Sequence, residues 1–347
     1  MQETTQYTAN HNRDNDLDIY RGCSMIYITC FLHNFYGVQT IDTIATSMLL
    51  ITMPIVFFIS GASYSLASSK SYLLYLWRRV KRIVFPYYIF VAIITAAYFV
   101  YRCLIMGNNS LDFFKHFVSN DYYNIFSGKL YNFNHLWFIP PYLVVALLLP
   151  ALHYIKQHIN SWGIYILAIL SIVILTIYPN EIWCYAAFAF VGLYYKQKFP
   201  ANRYVIACLM ACAMLWCIMN GYSLNMQANK FPPNVMFFSY CGVVVSLLLP
   251  WIGRLCRIVY RWRFLRYYID QYARIGLTVY LYHGINVHLL QHLLKTLVGN
   301  NDLPPIAHLA ILVATSIALF FGNIYLSIAM KRVESFIIKN ACIWKKQ

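Results

Sequence analysis

The sequence predicts an all-α polytopic membrane protein, a bundle of about ten transmembrane helices with both termini in the cytoplasm. Three observations carry that prediction. The 347 residues are 61% hydrophobic and 11% charged, with a mean hydropathy of +0.55, whereas soluble domains carry about 25% charged residues. Apolar stretches long enough to cross a hydrocarbon core of about 30 Å recur along nearly the whole chain. Finally, Lys and Arg collect in every second connection between those stretches, the pattern of cytoplasmic loops.

Ten segments qualify as spans: 23–41, 44–67, 83–106, 135–155, 162–178, 181–196, 204–220, 235–253, 274–294 and 305–330. The shortest two, 162–178 and 181–196, are divided by Pro179-Asn180-Glu181. Isolated Pro and Gly are tolerable inside spans because neighbouring helices can satisfy the freed backbone groups. Residues 1–16 read as a polar N-terminal tail with no apolar core behind a basic start. The expectation is therefore no cleavable signal, with the first span as the insertion signal. Residues 17–333 form the membrane-embedded unit and 334–347 a basic C-terminal tail. The longest connection, about 107–133, has some 27 residues, too few for a second domain.

With the N-terminus inside, 22 of the 27 Lys and Arg and six of the 11 acidic residues fall on the cytoplasmic side. The outer segments hold five of each and are neutral, so the whole net charge of +16 lies on one face. Membrane topology accounts for the basicity, and nucleic acid is not needed to explain it. The ten cysteines lack CxxC spacing, which implies neither a disulfide framework nor a zinc site. Between Arg254 and Tyr272, the residues Leu255, Ile258, Trp262, Leu265 and Ile269 recur at helical spacing among arginines. That pattern predicts an amphipathic helix on the inner membrane surface, where anionic lipids attract the arginines.

Ionisable side chains at membrane depth are costly and each marks a functional hypothesis. His33 lies 12 residues beyond Arg21, about 18 Å at 1.5 Å per residue. His283 lies nine beyond Arg274, at a comparable depth, so the two can face one cavity. A neutral imidazole can take a proton from a hydroxyl near physiological pH; the plainer account is a core histidine bonded to a neighbouring helix. Ser60-Gly61 is a small pair inside an apolar span, suited to close helix approach. Arg78, Arg79, Lys81 and Arg82 stand at the mouth of spans two and three, and Arg79 and Arg82 share a helical face and can grip phosphate. The plainer account there is a topology anchor. His135-Leu136-Trp137-Phe138 opens the fourth span, where an interfacial Trp needs no special role. His288 and His292 are four apart, but no carboxylate or cysteine stands near them, and no metal is expected. Phosphate-loop, GxSxG and HExxH patterns are absent, and Asn108-Asn109-Ser110 is an outward-facing sequon.

Taken in order, these features resemble the membrane-bound acyltransferase 3 family. Arg13, Leu17-Asp18, Arg21-Gly22 and His33 open the chain as that family's first helix does. Phe57-Phe58-Ile59-Ser60-Gly61 is similar to its FF-x-x-SG element, with one residue between Phe58 and Ser60 here. Arg79-Val80-Lys81-Arg82, leading to Ile83 and Pro86-Tyr87, resembles its R-x-x-R loop. His135-Leu136-Trp137-Phe138 and Tyr280-Leu281-Tyr282-His283 resemble two later elements, and the likeness covers about 13–330. One departure is a spacing of eleven residues between Arg21 and His33, where the family usually has ten. An extra residue turns a helix face by about 100° unless a bulge absorbs it.

The resemblance implies an enzyme that moves an acyl group, commonly acetyl, from cytoplasmic acyl-CoA to a hydroxyl of a cell-surface polysaccharide or lipid-linked glycan. It implies a bacterial inner membrane as the location. His33 would be the general base, with Arg21 orienting the donor. Arg79 and Arg82, supported by Arg78 and Lys81, would hold the CoA phosphates. Ser60, Trp137, His135 and His283 would line the substrate cavity. The extracytoplasmic esterase-like domain that some members append is not expected. A reading of another class is a transporter or flippase for an acylated or sugar-bearing lipid, with the same histidines as a proton relay. Inverted repeats would favour that reading, and none is visible.

Overall fold

A computed structural model describes residues 14–36, 43–66, 71–159, 162–196, 199–298 and 304–343. Of the residues used above, Arg13 and most of the N-terminal tail lie outside the described residues, as do Lys70, Lys198, Lys345 and Lys346. Among the described residues the elements are all helices, joined by turns and loops, and the only β pairing is an isolated bridge between Lys230 and Pro233.

The described residues of each predicted span are mostly helical, and residues 37–41 of the first lie outside the described residues. Among the described residues, six stretches are long and apolar enough by themselves to cross a membrane: Ile44–Leu66, Tyr72–Ile105, Asn134–His158, Asn202–Met219, Val235–Tyr260 and Ile306–Asn340. Gly163–Ile177 (α7) and Glu181–Gly192 (α8) are apolar but shorter. Helix α1 begins at Asn15, capped by the Asp14 side chain, and the final helix α13 runs from Pro305 to Ile343, so most of 334–347 continues the helix.

Acidic residues in the first turn of α1 (Asn15–Ile26) suit the positive end of the helix dipole. Each also meets a cation. Asp14 pairs with Lys196 at 2.8 Å, Asp16 with Arg257 at 2.9 Å and Asp18 with Arg21 at 2.6 Å. These contacts tie the start of the chain to the segment after α8 and to α10 (Val235–Tyr260).

Beyond Ile26 the first helix widens into a π-helical run, Tyr27–Leu32, in which the His33 backbone N–H donates to the Ile28 carbonyl. A π run accommodates one residue more than an α-helix over the same length. It is therefore the bulge that absorbs the eleventh residue between Arg21 and His33. Asn323 of α13 braces this segment by donating to the Thr29 carbonyl at 3.0 Å, and Asn34 donates to Thr315 and Ser316 of the same helix at 2.9 and 2.8 Å.

The amphipathic element is shorter than predicted. Helix α10 continues from its apolar span to Tyr260, and a separate helix, α11 (Arg263–Arg274), follows a break at Arg261-Trp262. Hydrogen bonds propagate from the span through the arginine-rich turn. The break is then bridged by Arg266, whose Nε donates to the Tyr260 carbonyl, and by Tyr260, whose hydroxyl donates to Asp270. Leu255, Ile258 and Trp262 remain exposed, while Tyr268, Ile269, Tyr272 and Ala273 of α11 are buried and the helix packs on α1.

Helix α3 (Thr52–Leu66) carries the small pair and packs along α8. A Cβ at Gly61 would collide with the Ala189 carbonyl, and one at Gly192 with the Phe58 carbonyl. The two backbones thus touch through reciprocal glycines, the close approach expected of small residues in membranes. Gly61→Leu is expected to destabilise the detergent-solubilised protein by about 1–3 kcal/mol or more, read as a lower thermal midpoint. An unchanged midpoint would mean the helices can separate at little cost.

Candidate functional site

Two cavities are lined in part by α12 (Gly276–Val298), and Tyr280 lines the first of them. The first, of about 80 Å³, is lined by Arg21, Arg79, Arg82, Ser60, Tyr142, Phe138 and Tyr280 among others. The second, of about 550 Å³, is lined by His33, His135, His283, His288, Trp137, Gln227 and Lys230 among others, and its volume lies in the range of ligand pockets.

Arg79 and Arg82 are carried on α4 (Tyr72–Phe99) and reach the smaller cavity together, as their three-residue spacing requires. Arg79 also lies over the Tyr75 ring at 5.0 Å. Arg78 and Lys81 are exposed and do not line that cavity. Arg21 joins Arg79 and Arg82, held by Asp18 and by a 2.8 Å hydrogen bond from its Nη2 to the Ser63 hydroxyl. It therefore groups with the arginines rather than with His33, which lines the other cavity. Ser60 faces the arginine-lined cavity.

His33 and His283 meet across 250 positions of sequence, with His33 Nδ1 2.6 Å from His283 Nε2 and the rings offset and near-parallel at 4.7 Å. His283 Nδ1 lies 2.7 Å from the Tyr280 carbonyl. A carbonyl only accepts, so in the neutral pair His283 carries its proton on Nδ1 and its Nε2 is a lone pair. His33 must then donate from Nδ1, which leaves its own Nε2 as an unprotonated base. The tautomers follow from the partners. His283 is buried and His33 is half-buried.

His135 packs edge-on to His283 at 4.4 Å, and its Nε2 donates to the Leu281 carbonyl at 3.3 Å. The Tyr280 hydroxyl donates to the His135 carbonyl. Gly284 permits this packing, because a Cβ there would strike the His135 ring. His288 donates from Nε2 to the Asn132 carbonyl at 3.2 Å. His135, His283 and His288 are thus each anchored to a backbone carbonyl, and His33 is anchored through His283.

Trp137 lines the wall of the larger cavity, edge-on to Phe231 at 4.7 Å. The Lys230 ammonium lies 4.8 Å from the Trp137 ring centre and 4.6 Å from that of Phe231, within cation–π reach. Lys230 belongs to the connection between α9 (Phe199–Met219) and α10. Burial lowers its pKa to about 8. By sequence alone, Lys230 is one of five cations in the outer segments. Its placement beside Phe231-Pro232-Pro233 was the available signal, since an apolar, rigid neighbourhood is unusual for a loop lysine.

Fold and site together define a helical membrane protein with a histidine cluster lining one cavity and arginines lining another. The family model of the acyltransferase 3 domain, described as an acyltransferase domain, matches residues 14–325. The chain belongs to that family and is a membrane acyltransferase. No curated protein and no solved structure matches it significantly.

Proposed function

We propose that this protein is a ten-span O-acyltransferase of a bacterial inner membrane with both termini inside. It moves an acyl group, most simply acetyl, from cytoplasmic acyl-CoA to a hydroxyl of a surface polysaccharide or lipid-linked glycan. The observation that carries the proposal is the His33–His283 pair, hydrogen-bonded back to the Tyr280 carbonyl and lining the larger cavity.

Arg79, Arg82 and Arg21 bind the anionic CoA at the cytoplasmic mouth, where the +16 inner face draws it in. The pantetheine arm extends from these arginines toward His33, and the nucleotide stays at the mouth. The acceptor enters the larger cavity from the other side. His33 Nε2 takes the proton of the acceptor hydroxyl as the oxygen attacks the thioester carbon. The C–O bond forms, the C–S bond breaks, and the CoA thiolate leaves and recovers a proton from the His33 imidazolium. His283 Nε2, accepting from His33 Nδ1, holds the ring in place and stabilises its charged form. Ser60 needs no covalent role, since the base lines the other cavity.

The test is release of free CoA from acetyl-CoA by the detergent-purified protein, with and without crude envelope glycan. Glycan-dependent release together with acetyl ester on the glycan supports the proposal. No release from any acyl-CoA tried, by protein shown to be folded, would overturn it in favour of transport.

A further inference from the structure

The larger cavity holds a cation for which the described residues supply no counter-charge. Lys230 is only 7% exposed, yet none of the ion pairs among the described residues includes it. The described residues lining the cavity include no carboxylate; beside Lys230 the ionisable groups are His33, His135, His283, His288 and Tyr36. Burying an ammonium without a counter-charge is costly. The faces of Trp137 and Phe231 offset only part of that cost. A second group on the same wall also lacks a partner. Gln227 Oε1 is buried and accepts no hydrogen bond.

A buried lone cation, an unfilled acceptor and two aromatic walls together describe a particular ligand. We infer that the acyl acceptor is an acidic saccharide whose carboxylate or phosphate pairs with Lys230 while a ring hydroxyl donates to Gln227. The sugar ring lies against Trp137 and Phe231, and the hydroxyl to be acylated faces His33. This rests on the acyltransferase reading and narrows its substrate class from glycans in general to anionic ones. Lys230 then acts in selecting the acceptor, because a neutral sugar leaves the ammonium desolvated and unpaired.

Titration calorimetry of the full-length protein in detergent, without acyl donor, tests this directly. The probes are a glucuronate-containing hexasaccharide, the same hexasaccharide with its carboxyls reduced to alcohols, and a glycerol-phosphate oligomer. Wild type is expected to bind at least one anionic probe about tenfold or more tightly than the carboxyl-reduced sugar. Which anionic probe prevails separates a uronate from a phosphate source. Lys230→Gln is expected to abolish the preference, Lys230→Arg to retain most of it, and Gln227→Leu to weaken all sugars alike.

Equal affinities in wild type, absence of binding by all three probes, or a preference that survives in Lys230→Gln would each overturn the inference. The wild-type comparison needs no variant and stands even if Lys230→Gln fails to fold. A parallel rate assay separates charge selection from stabilisation of the reaction's oxyanion: Lys230→Gln slowing neutral and acidic acceptors equally would assign the lysine to the latter and overturn the proposal. Charge preference without CoA release would remove the acyltransferase reading and leave the binding site. CoA release without charge preference would do the reverse.

Discussion

His33→Ala is expected to lower acyl transfer by about 10²- to 10⁴-fold, the range for loss of a positioned general base. His33 is anchored only through His283, and its Nε2 is the lone pair that the tautomer chain leaves unprotonated. His33→Gln should be nearly as inactive, because an amide can occupy the hydrogen-bonding position but cannot accept the proton. Donor binding should persist in both variants, since the arginine-lined cavity is built from other residues. His283→Gln is the informative companion. It leaves a base in place with a poorer anchor, so its loss should be smaller than that of His33→Ala. CoA release at saturating acetyl-CoA and glycan, with thermal unfolding as the folding check, reads all three. Normal release from folded His33→Ala would place the base elsewhere.

The second large effect is expected from Arg79→Ala/Arg82→Ala. Hydrogen bonds to charged groups contribute about 1.5–3 kcal/mol each, and both guanidiniums sit at a partly solvated mouth that weakens them. A rise of about 10- to 100-fold in KM for acetyl-CoA follows, with little change in kcat, because phosphate binding persists equally in ground and transition states. Arg78→Ala/Lys81→Ala should do far less, as those side chains do not reach the cavity. The wild-type KM should also rise with salt, and the arginine variant's should respond less. A kcat loss at unchanged KM would mean that the arginines act on the reacting group rather than on the CoA phosphates.

Helix positions were legible because burial in lipid demands long apolar runs, and the described residues of the predicted segments are mostly helical. Legibility failed where a helix did not end with its apolar run. Helix α10 carries on through Arg254 and Arg257 to Tyr260, since backbone hydrogen bonding continues wherever no residue breaks it. The π run at Tyr27–Leu32 was foreseeable only as a condition, a bulge needed to keep Arg21 and His33 in register. Whether it forms depends on Asn323, nearly 300 positions away, supplying a hydrogen bond to Thr29.

The site divides the same way. Arg79 and Arg82 share a cavity because they are three apart on one helix, a local rule that needs no tertiary knowledge. Arg21 and His33 are on one helix too, but they serve different cavities, since 12 residues carry the chain about 18 Å along the axis. Residue type and depth were enough to single out His33 and His283, and the order of the motifs was enough to indicate the family. The hydrogen bond between these two histidines, the tautomer it imposes and the burial of Lys230 among aromatic rings came only with the tertiary structure. Composition and periodicity act through neighbours in sequence, whereas hydrogen-bond partners and desolvation are set by whichever distant segments the fold packs together.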